Sequence, residues 1–368
     1  MTFILHSFML HLQNITLYQF KNYLQKDFQF TGNITGIYGN NGVGKTNLLD
    51  AIYFLCFTKS YFSKAESNVV HSGTQGMRIE GNFDRNGETE NIVCIIRENN
   101  RKEIKRNKED YKRFSAHIGQ FPAVMISPDD VELVTGTSDV RRKYLDTLLS
   151  QLDHQYLQSL IYYNKVLQQR NSLLKSVIER GYINDSLLDI LNAQLVKPGK
   201  YIFNCRKRFL QDYLPLVAES YRQIAGTYEP LLLEYYSQLH EDDFEKLLTT
   251  FRQKDVMLQR TTIGIHKDDI ELKLNNENFK NIASQGQRKS LLFALKLTEF
   301  EELKSAKGFA PVLLLDDVFE KLDEGRMQNL LQQVCVESKS QVFITDTHKE
   351  RLQQALEKLE VPFQLIGL

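Results

Sequence analysis

Apolar residues fall along this chain in three patterns, and each predicts a different kind of element. Short apolar runs occur at Ile34-Thr35-Gly36-Ile37-Tyr38, Phe121-Pro122-Ala123-Val124-Met125-Ile126, Pro311-Val312-Leu313-Leu314-Leu315 and Gln341-Val342-Phe343-Ile344-Thr345. These predict strands, and the unbroken run at 311–315 suits a parallel strand buried on both faces. Weaker β-like runs lie at Leu12 to Leu17 and Phe28 to Phe30. Alternation at Arg78 to Phe83 and Ile92 to Ile96, with a turn at Asn86-Gly87 between, predicts a further pair of strands. Three- and four-residue apolar spacing marks helices at 47–55, over much of 141–222 (Leu145, Leu148, Leu149, Leu152, Leu157, Leu160, Ile161) and at 289–303. Pro198 and Pro215 are expected to break the middle stretch into several helices.

This order predicts an α/β fold interrupted by a helical insertion. The expected divisions are 1–135 for the first part, with a β subdomain, 136–258 for a compact helical arm domain, and 259–368 for the remainder. The arm is too short and too interrupted for a long antiparallel coiled coil. There are no internal repeats and no low-complexity linker.

The junction between the 34–38 strand and the 47–55 helix carries the first chemistry. Gly39-Asn40-Asn41-Gly42-Val43-Gly44-Lys45-Thr46 reads G-x-x-x-x-G-K-S/T, the phosphate-binding P-loop pattern, and Asn47 follows it into the helix. Glycines let the backbone form a nest of N–H groups, and the helix N-terminus points at the same place. Lys45 would reach the β- and γ-phosphates of ATP, and the Thr46 hydroxyl would hold Mg²⁺. The apolar run at 311–315 ends in Asp316-Asp317, the Walker B pattern. Ligands in parallel sheets bind beyond the carboxyl ends of the strands, where both acids would lie. Asp316 would hold Mg²⁺, and Asp317 would orient or deprotonate the attacking water, which makes Asp317 and Lys45 the catalytic candidates.

Between these pieces stands Ala283-Ser284-Gln285-Gly286-Gln287-Arg288. Ser284 and Gln287 have the spacing of a capping box, and a capped helix start beside a glycine is also an anion site. S-x-G-Q before a Walker B strand resembles the signature motif of ABC-type ATPases, which covers the γ-phosphate held by a partner subunit. Leu322-Asp323 resembles the D-loop of that class, and His348 stands where it places a γ-phosphate sensor. Ser284, Gly286, Gln287 and His348 therefore join the nucleotide candidates.

Composition narrows the partners little. Lys+Arg and Asp+Glu are both 46 of 368 residues, a zero balance that neither favours nor excludes nucleic acid. The basic run over 97–113 (Arg97, Arg101, Lys102, Lys105, Arg106, Lys108, Lys112, Arg113) reads equally as a solvated hairpin edge or a phosphate-contacting patch. Four scattered cysteines fit a reducing compartment, and no membrane span is present, so the cytoplasm is expected.

Further blocks are more specific. Leu17-Tyr18-Gln19-Phe20-Lys21-Asn22-Tyr23 resembles N-F-R-N-Y, and the stretch from Gly44 to Tyr53 resembles G-K-T-N-L-L-E-A-I-Y. Ser127-Pro128-Asp129-Asp130, Arg141-Arg142-Lys143-Tyr144-Leu145-Asp146 and Gly264-x-His266-x-Asp268-Asp269 resemble S-P-x-D, R-R-x-F/Y-L-D and G-P-H-R-D-D. Together they resemble the RecF recombination-mediator family from residue 10 to about 350. Departures are Asp50 for Glu, Phe62 for Arg, Ile265 for Pro and Lys267 for Arg. Alignment by motif places the family's first residue near Met9, leaving 1–8 as an extension.

The resemblance implies a P-loop ABC/SMC-type ATPase head with an inserted arm, acting in recombinational repair and replication restart. It implies slow ATP turnover used as a switch, double-stranded or gapped DNA as a partner, an ATP-dependent homodimer, and work with the RecO and RecR mediators to load recombinase onto single-stranded DNA. A transporter's nucleotide-binding subunit would normally carry L-S-G-G-Q and lack the middle blocks. A small-molecule kinase would have no use for Ser284-x-Gly286-Gln287.

Overall fold

The computed structural model describes residues 10–85, 87–226, 229–320, 324–338 and 340–368. Asn86 of the expected turn, Leu322-Asp323 and the expected extension at 1–8 lie outside the described residues. The chain forms two compact units, Met1–Asp130 with Leu295–Leu368, and Val131–Ala294.

The first unit opens with β1 (Leu10–Phe20), β2 (Tyr23–Gln29), β3 (Ile34–Tyr38) and helix α1 (Lys45–Phe57). It continues through β4 (Met77–Arg85), β5 (Glu88–Ile96), β6 (Lys102–Arg106), β7 (Glu109–Asp110) and β8 (Ala123–Ile126). Six of these strands build an antiparallel sheet in the order β2-β1-β4-β5-β6-β7.

The second unit holds α2 (Glu132–Thr135), α3 (Ser138–Leu152), α4 (His154–Lys175), α5 (Val177–Arg180) and α6 (Asp185–Ala225). Then come β9 (Leu231–Tyr236), α7 (Phe244–Thr250), α8 (Arg252–Leu258), β10 (Asp269–Leu274), β11 (Glu277–Asn278) and α9 (Phe279–Ile282). Strands β9, β10 and β11 pair antiparallel. This unit runs past the expected end at 258, because β10 pairs with β9 and so keeps 269–274 with the arm. The stretch does divide into several helices, α3 to α6, but α6 corrects the expectation that Pro198 and Pro215 make the breaks. It runs unbroken for 41 residues with Pro198 and Pro215 inside it. A helix-interior proline costs about 3 kcal/mol. The buried stripe Leu188, Leu191, Leu195, Ile202, Leu210, Leu214 and Val217 outweighs that, at roughly 1.5–3 kcal/mol per fully buried side chain.

Helix α10 (Gln285–Lys307) begins in the second unit and ends in the first. The chain then adds β12 (Val312–Leu315), α11 (Glu324–Leu331), β13 (Val342–Asp346), α12 (Lys349–Glu357) and β14 (Gln364–Gly367). A wholly parallel sheet results, in the order β14-β3-β13-β12-β8. Every residue of β8, β12 and β13 is buried, as continuous apolar runs require. Helix α1 is apolar nearly all round and is buried accordingly, against strands of both sheets. The buried Gln341 amide ties the two sheets together, accepting from Leu12 N–H (2.6 Å) and donating to the Leu12 carbonyl (2.8 Å). Among the described residues no helix is long and apolar enough to cross a membrane.

Candidate nucleotide-binding site

Strand β3 delivers the chain into Gly39–Gly44, and α1 starts at Lys45. Gly39, Gly42 and Gly44 all have positive φ (153°, 83° and 116°), which a side chain would strain. At Gly44 space forbids one as well, since a Cβ would lie 2.5 Å from Asn22 Nδ2 and 2.8 Å from the Tyr23 hydroxyl oxygen. Gly44 is the N-cap of α1 and offers no side chain to its first-turn N–H groups, and that turn carries no acid. Such a helix start suits an anion. Lys45 is buried, with its ammonium donating to the Gly39 carbonyl at 2.8 Å and the Asn40 carbonyl at 3.1 Å.

The hairpin between β1 and β2 braces this loop. Asn22 donates to the Val43 carbonyl (2.9 Å) and accepts from Asn47 Nδ2 (2.7 Å), while the Tyr23 hydroxyl donates to the Gly44 carbonyl (3.0 Å). The sequence gives Asn22 and Tyr23 no role beyond resemblance.

The Walker B acids stand at the carboxyl end of β12, beside the P-loop. The Thr46 hydroxyl donates to the Asp316 carboxylate, 3.0 and 2.9 Å from its two oxygens, across 270 residues of sequence. Thr345, at the end of β13, donates to Asp316 Oδ1 (2.8 Å) and accepts from the Asp317 N–H (2.9 Å). Sequence reasoning misses Thr345; a polar residue closing an apolar strand beside Walker B is the available signal. Burial chiefly pushes the Asp316 carboxyl up to about 6, with Asp317 adding to the rise and Thr345, Thr46 and Lys45 opposing it. It is therefore ionised at neutral pH. A hydroxyl and a carboxylate are hard oxygen donors, so Thr46 and Asp316 fit Mg²⁺ chemistry. Asp317 is half-buried with φ of 44°, a backbone conformation that non-glycine residues rarely hold and that clusters at functional sites.

Ser284, Gly286 and Gln287 belong to the second unit, at the start of α10. The capping box is formed: Gln287 N–H donates to Ser284 Oγ (3.2 Å) and Ser284 N–H to Gln287 Oε1 (2.7 Å). Ser284 and Gly286 are exposed. His348 is also exposed, at the N-cap of α12, and its backbone is fixed, the N–H donating to buried Asp346 (2.9 Å) and the carbonyl accepting from the Leu352 N–H (3.2 Å).

Two departures explain one another locally. Buried Asp50 accepts from Ser60 Oγ and the Tyr61 N–H and pairs with Lys21, all at 2.7 Å. Phe62 lies under the same Lys21 ammonium, 5.3 Å from the ring centre. The blocks at 141–146 and 264–269 are internal fixtures of the second unit, whereas Ser127-Pro128-Asp129-Asp130 closes the first stretch of the first unit. Arg141 grips Asp269 through both carboxylate oxygens (2.7 and 2.8 Å). Buried Arg206 joins Asp268 to Asp146, at 2.7 Å each. In the basic run, Arg97 and Arg101 face Glu103, Lys102 faces Glu66, Lys105 faces Asp110 and Arg106 faces Glu90. Strand alternation puts Lys102 and Arg106 on the side of buried Ile104 and Lys105 on the other, so the run forms no single cationic face.

Residues 11–365 match the family model described as RecF/RecN/SMC N terminal domain. The chain is 41% identical to the DNA replication and repair protein RecF of Flavobacterium johnsoniae, over 98% of this chain and 100% of that one. It is 41% identical to the protein of that name from Parabacteroides distasonis, over 94% and 93%. Among solved structures it resembles the recombination mediator protein RecF with ATP, of the RecFOR pathway (TM-score 0.86, 30% identity, 94% of each chain). The Smc head domain of Pyrococcus furiosus shares the fold (TM-score 0.53, 16% identity, 94% of this chain and 92% of that one).

Proposed function

The chain belongs to the RecF family, and from that premise we propose that it is an ATP-dependent DNA-binding protein of recombinational repair and replication restart, in which ATP binding closes a homodimer on DNA. The contact between the Thr46 hydroxyl and the Asp316 carboxylate carries this reading, because it joins the P-loop and the Walker B acid into one oxygen-donor site. Gly39 to Gly44 would cradle the phosphates with backbone N–H groups, helped by Asn47 at the helix start. Lys45 would neutralise the β- and γ-phosphates. Mg²⁺, held by Thr46 and Asp316, would supply further charge neutralisation there. Asp317 would hold the attacking water and accept its proton.

In this reading one chain would supply the floor of the γ-phosphate site, and a lid that excluded water would strengthen every electrostatic contact within. The exposed, capped start of α10 supports the lid coming from a second copy, so that each chain's Ser284-x-Gly286-Gln287 covers the other's ATP in a two-fold arrangement. His348 would approach the same phosphate as a sensor. RecR and RecO belong to the reading as the partners that a recombination mediator of the RecFOR pathway implies.

DNA binding and sedimentation, each with and without ATP and Mg²⁺, test this. ATP should promote both DNA binding and dimerisation. Lys45→Met should lose nucleotide binding, and Ser284→Arg should bind ATP yet stay monomeric and inactive. Mixing the two variants assembles one intact composite site and should restore part of the turnover. Normal ATP-dependent dimerisation of Ser284→Arg would defeat the lid model.

A further inference from the structure

The second unit holds three cations, Arg142, Arg260 and Lys267, for which no ion pair within 4 Å is found among the described residues. Arg142 lies on α3 and donates to the main-chain carbonyl of Asp268 at 2.6 Å. That is one of its five donor positions. Arg260 and Lys267 flank the loop before β10. His266 closes that loop: a carbonyl can only accept, so its Nε2 donates to the Thr261 carbonyl (3.1 Å) and its Nδ1 accepts from the Tyr163 hydroxyl (2.9 Å). This pins residue 261 against 266 and brings Arg260 and Lys267, both exposed, to the two sides of one fixed closure.

Among the described residues, the acids of the surrounding segments each hold another group. Asp268 is held by Arg206 (2.7 Å) and the Tyr235 hydroxyl (2.5 Å), Asp269 by Arg141, and Asp146 by Arg206 and Tyr156. Asp255 is held by Arg170 (2.7 Å) and Thr262 (2.6 Å), and Asp139 accepts from Thr137 (2.6 Å). Among the described residues no ion pair within 4 Å includes Arg142, Arg260 or Lys267, whereas five cations of the 97–113 run each face a carboxylate. Burial, then the charges of Arg260 and Arg142, hold the Lys267 ammonium below its usual range, with only Asp255 opposing. Burial likewise lowers the Arg142 guanidinium against the pull of Asp139 and Asp269. Like charges fixed together are destabilising alone and stabilised by an anion. Exposure of Arg260 and Lys267 suits a polyanion crossing the surface better than a small enclosed ion, and the guanidinium fork matches phosphate geometry.

We infer that Arg142, Arg260 and Lys267 form a contact site on the helical unit for the phosphodiester backbone of DNA. This rests on the DNA-binding reading above. Lys267 keeps the positive charge at the position where the resembled pattern has Arg, so the departure preserves the chemistry.

The test is binding of a fluorescent double-stranded oligonucleotide to the full chain with ATP and Mg²⁺ across a salt series. The double variant Arg260→Gln with Lys267→Gln removes no side-chain hydrogen bond found among the described residues. It should lower the slope of log K against log salt by about two, at roughly 0.9 for each phosphate no longer neutralised. Lys267→Arg should bind as the parent does, and Lys246→Gln, which removes an exposed cation paired with Asp242, should change nothing. Arg142→Gln should lower the slope further, with thermal unfolding recorded alongside because Arg142 also braces a carbonyl. A parental slope in the double variant overturns the inference and leaves the DNA-binding reading standing. So does weakened binding of ATP or inorganic phosphate with DNA binding intact. If the parent protein itself ignores DNA in the presence of ATP, both fall.

Discussion

Tyr23 shows how much of the candidate site rests on residues that never reach a phosphate. Its buried hydroxyl donates to the Gly44 carbonyl (3.0 Å), at the point where the loop becomes α1. Tyr23→Phe removes one of the two hydrogen bonds to that carbonyl, leaving the Leu48 N–H (2.9 Å), at a cost of about 1 kcal/mol, and frees the loop to shift. Nucleotide affinity, read by isothermal calorimetry, should fall severalfold while the melting temperature drops by only a few degrees; unchanged affinity would show that the glycine geometry alone holds the loop. Gly44, Lys45, Thr46 and Asp316 were legible in the sequence because their spacing and type are dictated by one chemistry. Asn22, Tyr23 and Thr345 were not, because bracing by a hydroxyl or an amide can be done from many positions and leaves no spacing to read. The paired cations of 97–113 were ambiguous for a related reason. A charge run shows how many cations there are, and only the fold shows which carboxylates, such as Glu66 and Glu90, come to meet them.

At the scale of elements, apolar periodicity found four of the five strands of the parallel sheet, missing β14, more readily than it found where helices end. The core strands β8 and β12 are continuous apolar runs, and β13 is one until Thr345 and Asp346 at its carboxyl end, as burial on both faces produces directly. Helix α6 went the other way. Proline is a local signal, and local signals lose when a long buried stripe holds the helix from outside. That balance is measurable at Pro215, which is exposed in the interior of α6. Pro215→Ala returns one N–H to the helix and removes a steric clash, at the expense of a freer unfolded chain. The helical unit should gain about 2 kcal/mol, seen as a raised midpoint in urea unfolding followed by circular dichroism. A lowered midpoint would mean that the proline fits a bend on which packing depends.

For the whole molecule, the two units share a sensitivity to acid. His117 in the first is buried and His266 in the second is half-buried, and loss of solvent holds both down to about 4. Above pH 6.5 they are neutral folded or unfolded and contribute nothing to the pH dependence. Between 6.5 and 4 only the unfolded chain takes up their protons, so stability falls with pH, by on the order of 3 kcal/mol for each. Urea unfolding from pH 7 to 4.5 should show that loss, and His117→Gln should flatten the part belonging to the first unit; an equally steep profile in the variant would place the acid sensitivity elsewhere. The α/β head with an inserted arm was legible from the order of motifs, but the reach of the second unit to Ala294 was not, since it depends on β10 pairing with β9. The parallel sheet has a consequence in time. Strand β3, which leads into the P-loop, lies between β13 and β14 in the sheet, with Thr35 opposite Phe343 and Gln364. A ribosome adding about 10 residues per second takes on the order of half a minute to travel from β3 to these neighbours. The antiparallel ladder has all its strands by residue 110 and the arm can fold meanwhile, while β3 waits with both edges bare. The phosphate loop is thus among the first parts of the protein to be made and among the last to be finished.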